Sequence, residues 1–104
     1  MAKIVAIVSD LMLASRVSES LKAAGHEVSV APNLTAPVEA EAIVCDLETT
    51  DLDAVVAIGL PALGFYSHVD VETKQRAEAA GLKLVIPRSR MSRELPELIT
   101  KLLA

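Results

Sequence analysis

The sequence predicts an α/β domain in which five strands form a parallel sheet with helices on both faces. Three observations carry that prediction. Short apolar runs alternate with amphipathic stretches along all 104 residues, and each run stops on polar residues, glycine or proline. The apolar content is almost wholly aliphatic, with one Phe, one Tyr and no Trp. The first run, KIVAIVSD from Lys3 to Asp10, is continuous rather than alternating, as in a strand covered on both sides. A chain of this length forms one domain, residues 1–104, whose core buries roughly two-thirds of the unfolded surface.

The elements follow in order. Asp10 is placed to cap a helix from Leu11 to Ala24, where Ala14, Val17, Leu21 and Ala24 make one face and Gly25 is the stop. His26 to Pro32 alternates Val28 and Val30 with polar neighbours, which fits a strand near the sheet edge. Asn33 to Ala40 holds Pro37 and little periodicity, so it reads as a loop or at most one helical turn. Ala42 to Leu47 is the third strand. Asp51 or Asp53 can cap a short helix from about Ala54, ended by Gly59 and Pro61. Ala62 to Tyr66 is the fourth strand, and Asp70 starts a helix over Val71 to Ala80 that Gly81 closes. Leu82 to Pro87 is the fifth strand. Ser92 is read as the cap of a last helix through Leu103, with Pro96 in its first turn. Strands alternating with helices over short connections imply right-handed crossovers and a doubly wound parallel sheet.

Composition excludes several functions. The net charge of −4 gives no basic footprint for nucleic acid. A single Cys rules out an intramolecular disulfide and a multi-cysteine metal site. The amino-terminal segment lacks a signal peptide's apolar centre, and the tract from Ala54 to Tyr66 is too short and too broken to cross a bilayer. A cytoplasmic, bacterial-type protein with no membrane or nucleic-acid partner is expected. The four glycines lie apart, so there is no phosphate-cradling loop. Cys45, set among Ala42, Ile43 and Val44, reads as an inert core thiol.

In open parallel sheets ligands collect at the carboxyl ends of the strands. The residues there are Ser9 and Asp10, Asp46 and Glu48, Ser67 and His68, and Arg88. Carboxylates suit a hard cation, while a hydroxyl and a fixed cation suit phosphate oxygens. Taken singly, each has a plain structural reading: Asp10 as a helix cap, Ser67 as a turn residue, Arg88 as an exposed cation.

Over nearly its whole length the chain resembles a response-regulator receiver domain, of the flavodoxin-like, doubly wound type. Ser9-Asp10 falls at the family's acidic pair, Asp46 at the phosphoacceptor, and Ser67 at the Thr or Ser ending the fourth strand. Gly81 matches the glycine before the fifth strand, and Arg88 stands at the family's lysine. SRMSRELPELI resembles the segment entering the last helix. The resemblance implies Mg²⁺ on Asp10, Asp46 and the backbone carbonyl of Glu48, with Ser67 and Arg88 on the phosphoryl oxygens. It also implies a histidine kinase or other signalling protein as partner.

The chain departs from that pattern in places that bear on chemistry. Ser9 replaces one of two acids, Arg88 replaces Lys, and Ser89 replaces the proline that follows it. Val85 stands where the family has a switch aromatic, and His68 replaces a small residue. The regions of the second and third helices are short. These departures favour a pseudo-receiver, a signalling or protein-interaction module that binds a partner or forms a homodimer without phosphoryl chemistry. Two alternatives stand beside it: a receiver phosphorylated on Asp46 with Mg²⁺, and a small-anion-binding protein using His68, Arg88 and Arg90. Arg93 extends that cationic group, which also reads as a solvated face. No nucleophile–base–acid set marks an enzyme.

Overall fold

The computed structural model describes residues 2–32, 39–66 and 71–104. Along them run β1 (Lys3–Ile7), α1 (Leu11–Ala23), β2 (Glu27–Ala31), β3 (Ala42–Asp46), α2 (Leu52–Ile58), β4 (Ala62–Tyr66), α3 (Val71–Ala80), β5 (Leu84–Pro87) and α4 (Arg88–Leu103). The strands form one all-parallel sheet in the order β2-β1-β3-β4-β5. This is the flavodoxin-like order of a doubly wound sheet, with β2 at one edge as its alternating pattern predicts.

Alternation along the strands sends side chains to two aliphatic layers. Ile4, Ala6 and Val8 from β1 and the turn after it join Ala42, Val44, Leu63, Phe65 and Ile86 beneath α1 and α4. Ile7, Ile43, Cys45, Ala62 and Tyr66 face the other way, against Val55 of α2 and Ala77 of α3. The middle strands β3 and β4 are buried on both sides, which is why they read as unbroken apolar runs.

Both ends of α1 are fastened by local chemistry. Asp10 Oδ1 accepts the Leu13 N–H at 3.0 Å. At the far end Gly25 takes φ 93°, its N–H donates to the Lys22 carbonyl at 3.0 Å, and that of His26 donates to the Leu21 carbonyl at 3.0 Å. That pair of bonds is a Schellman closure. Ala24, read as part of the apolar face, is instead the exposed cap beyond it, and Leu13 takes its place in the core. Asp51 caps α2, which begins at Leu52, two residues earlier than its periodicity suggests. Of the segment from Asn33 to Ala40, expected to be a loop, Glu39 and Ala40 carry no regular structure; residues 33–38 and Asp70 lie outside the described residues.

The expected start of α4 needs correction. The helix starts at Arg88, directly after Pro87, and not at Ser92; Pro96 therefore lies in its interior. Pro87, at φ −70° and ψ 149°, ends the strand and leads straight into the helix. The apolar row that anchors α4 begins with Met91 and continues through Leu95, Leu98, Ile99 and Leu102. Burying Met91 requires the first turn to be helical, and this packing outweighs the capping preference of Ser92.

Candidate functional site

The strand order reverses between β1 and β3, and the crevice at their carboxyl ends is where a doubly wound sheet binds ligands. Ala42 and Val44 point to the α1/α4 layer, so the two-residue alternation carries Asp46 to the same side at the rim. It ends half-buried. Its Oδ1 accepts the Glu48 N–H at 3.0 Å, and its carbonyl accepts from Thr49 at 3.2 Å and Thr50 at 3.0 Å. The acid is thus built into a closed turn.

The electrostatics tie three strand ends together. Burial pushes the Asp46 carboxyl above the usual carboxylate range; the Glu48 N–H opposes this, the Glu48 carboxylate adds to it, Arg88 lowers it and Asp10 raises it. Asp46, at the end of β3, therefore feels the charges of Asp10 and Arg88, which follow β1 and β5. Asp10 is exposed, and among the described residues only its Oδ1 is engaged, in the cap of α1. Ser67 and His68, the expected contributions of β4, lie outside the described residues.

The other cations have nearer partners. Arg90 Nε pairs with Glu94 Oε2 at 3.4 Å, one turn along α4, and Arg93 Nε donates to the Ser89 carbonyl at 3.4 Å. Val85 is half-buried against the α2/α3 layer, and Ser89 is exposed in the first turn of α4. Cys45 is buried, its thiol pushed up to about 12 by desolvation first and by Asp46 second, so it is no nucleophile.

Sequence reading passed over Leu11 and Met12. They are 86% and 75% exposed in the first turn of α1, next to Asp10. The signal was partial: Ala14, Val17 and Leu21 leave both off the helix's apolar face, but Leu13 joins that row only when α1 packs on the sheet.

The receiver pattern implies Mg²⁺, and the donor set can be tested against it. Among the described residues no group of three or more His, Cys, Asp or Glu is arranged to hold a metal. Among the described residues Asp10 and Asp46 each engage one carboxylate oxygen, and their second oxygens, with the Glu48 carbonyl, still suit an ion that keeps several waters. Asp10 and Asp46 would hold it. Bound there, Mg²⁺ would offset the repulsion between the two acids.

Asp46→Asn tests the charge itself. Because burial raises the carboxyl above its unfolded value, the folded state holds that proton more tightly. Its stabilising effect is present at low pH and is lost as pH rises through the raised value. The Asn variant keeps an oxygen for the Glu48 N–H, so in chelator-treated buffer its urea midpoint at pH 7 is higher than wild type. The gap closes below about pH 3.9, the ordinary Asp value. A lower midpoint at pH 7 would mean that Arg88 outweighs burial.

No family model and no curated protein matches the sequence. Solved structures do match the fold. A LuxR-family DNA-binding response regulator from Staphylococcus aureus superposes with TM-score 0.86 at 15% identity, over 100% of each chain. A response regulator receiver domain protein from Clostridium thermocellum gives 0.85 at 16%, over 99% of this chain and 94% of that one. The chain has the receiver fold. The non-phosphorylated HemR receiver domain of Leptospira biflexa gives 0.82 at 17%, over 100% and 95% of the two chains. Identities this low show the receiver-like architecture alone. No helix among the described residues is long and apolar enough to cross a membrane.

Proposed function

We propose that this receiver-like domain is a signalling module that binds a protein partner at the carboxyl end of its sheet, without phosphoryl transfer through Asp46. The observation that carries this reading is the exposed pair Leu11 and Met12 beside the acid crevice. Two adjacent large apolar side chains at the mouth of a polar site favour a protein contact, and methionine adapts readily to a partner's surface.

The acid set supports the second half of the reading. One carboxylate stands at the end of β1 where the receiver pattern has two, and one of its oxygens caps α1. Val85, an aliphatic residue held in the α2/α3 layer, offers no large ring to swing on phosphorylation. Partner contacts would cover Leu11 and Met12, and a basic partner side chain would meet the Asp10–Asp46 pair. A histidine kinase, another signalling protein or a second copy of the chain fits that description.

The test has two readouts. Incubation with acetyl phosphate and Mg²⁺ leaves the intact mass unchanged. Titration with purified histidine-kinase phosphotransfer domains, and with the chain itself, gives binding that Leu11→Glu/Met12→Glu abolishes. Both positions are exposed in a first turn, where acids complement the helix dipole, so the variant folds. A phosphoryl mass gain that Asp46→Asn removes, or binding indifferent to the double substitution, would overturn the reading.

A further inference from the structure

The chain carries sulfur at Met1, Met12, Cys45 and Met91. Met1 lies outside the described residues, and the other three stand in sharply different surroundings. Cys45 is fully enclosed in the α2/α3 layer, and its thiol, pushed up to about 12, keeps its proton at neutral pH. Met91 is 1% exposed in the α1/α4 layer. Met12 is 75% exposed. Oxidation of a cysteine follows its thiolate character and access, and solvent access likewise opens a methionine to a peroxide. In the folded chain a peroxide therefore reaches Met12, while packing shields Met91 and Cys45.

Met12 is also placed so that its oxidation has a consequence. It stands beside Leu11 in the first turn of α1, on the apolar surface of the proposed partner contact. A sulfoxide there turns a flexible apolar side chain into a polar one. The fold itself loses nothing, because Met12 is outside the buried row Leu13, Ala14, Val17 and Leu21. Arg16 is exposed four residues along α1, the spacing at which helix side chains meet, and its guanidinium can donate to a sulfoxide oxygen. The oxidised side chain then has a polar neighbour on its own helix and no apolar surface to offer a partner.

We propose that Met12 is a site of reversible oxidation by hydroperoxides, and that its sulfoxide switches off the protein contact at Leu11 and Met12. This inference rests on that contact and adds its regulation. The thioether sulfur attacks one peroxide oxygen, the S–O bond forms as the O–O bond breaks, and the second oxygen leaves as water with the displaced proton. Sulfur loses two electrons and the peroxide gains them. A thiol-dependent methionine sulfoxide reductase returns two electrons and removes the oxygen as water.

Treating the full chain with hydrogen peroxide tests the site and the switch separately. Peptide mass spectrometry, with cleavage after Lys3 to part Met12 from Met1, shows one oxygen gained at Met12 while Met91 and Cys45 gain none. The circular dichroism spectrum stays unchanged. Binding to histidine-kinase phosphotransfer domains or to the chain itself weakens about tenfold or more, the scale of a lost methionine contact, and the reductase restores it. The affinity of Met12→Leu is the same before and after peroxide, whatever Met1 has gained. Oxidation of Met91 as fast as Met12 would overturn the site. Full binding by the Met12 sulfoxide, where Leu11→Glu/Met12→Glu abolishes binding, would overturn the switch and leave the contact standing. Binding indifferent to that double substitution would overturn the contact and the switch together.

Discussion

Phe65→Ala lowers the unfolding free energy by about 3–5 kcal/mol, read as a fall in the urea midpoint by circular dichroism. A domain of this kind has only about 5–15 kcal/mol to lose. The size of the effect follows from the composition: Phe65 is the one Phe of the chain, 1% exposed, in a layer otherwise built of aliphatic side chains and Met91. It sits on a central strand, paired in register with Asp46 on one side and Ile86 on the other. No neighbouring element can close over the void without sliding α1 or α4 along the sheet. Its backbone also accepts the Leu47 N–H at 2.9 Å, so looseness in β4 reaches the turn that carries Asp46. A loss below about 1 kcal/mol would mean that the α1/α4 layer collapses freely, contrary to a close-packed interior.

How much of this was legible in the sequence differs by element, for physical reasons. β1, β3 and β4 are buried on both faces or nearly so, and burial leaves a plain record in residue type. The caps at Asp10, Gly25 and Gly59 were legible because they depend on local hydrogen bonds and on the φ that glycine tolerates. The start of α4 was not, because two local signals compete there with packing. Ser92 resembles a cap and Pro96 a first-turn residue, but the helix obeys the apolar row from Met91, a demand set by packing against α1 and the sheet. Moving the helix start to Arg88 also changes the site, since Arg88 then belongs to a helical first turn rather than a free strand end.

The strand ends were legible as positions but not as a surface. Parallel topology puts the ends of β1, β3 and β5 on one rim, and the Asp46 carboxyl there feels the charges of Asp10 and Arg88. The pairing of Arg90 with Glu94 follows from four-residue spacing alone and could have been read in advance. Exposure at Leu11 and Met12 depends on where the buried row of α1 begins, and Leu13 settles that only once the sheet is in place.

Gly64 shows how the core bears on the site. A Cβ on it would lie 2.6 Å from Leu47 Cδ2, 2.8 Å from Leu47 Cγ and 2.8 Å from Leu82 Cδ2. Its need is for space, since its φ is not positive. Gly64→Ala therefore costs about 1–3 kcal/mol, and Gly64→Val costs more. Leu47 has little room to retreat, because it is buried and its N–H is bonded to the Phe65 carbonyl at 2.9 Å. Pushed outward, it drags the residue before it, so the amide signals of Asp46 and Glu48 shift while those of β2, across the sheet, do not. Leu47→Ala removes the obstructing atoms, and the Gly64→Ala/Leu47→Ala pair then loses less stability than the two single losses added together. Additivity within about 0.5 kcal/mol would show the two positions uncoupled and the turn at Asp46 independent of the packing behind it.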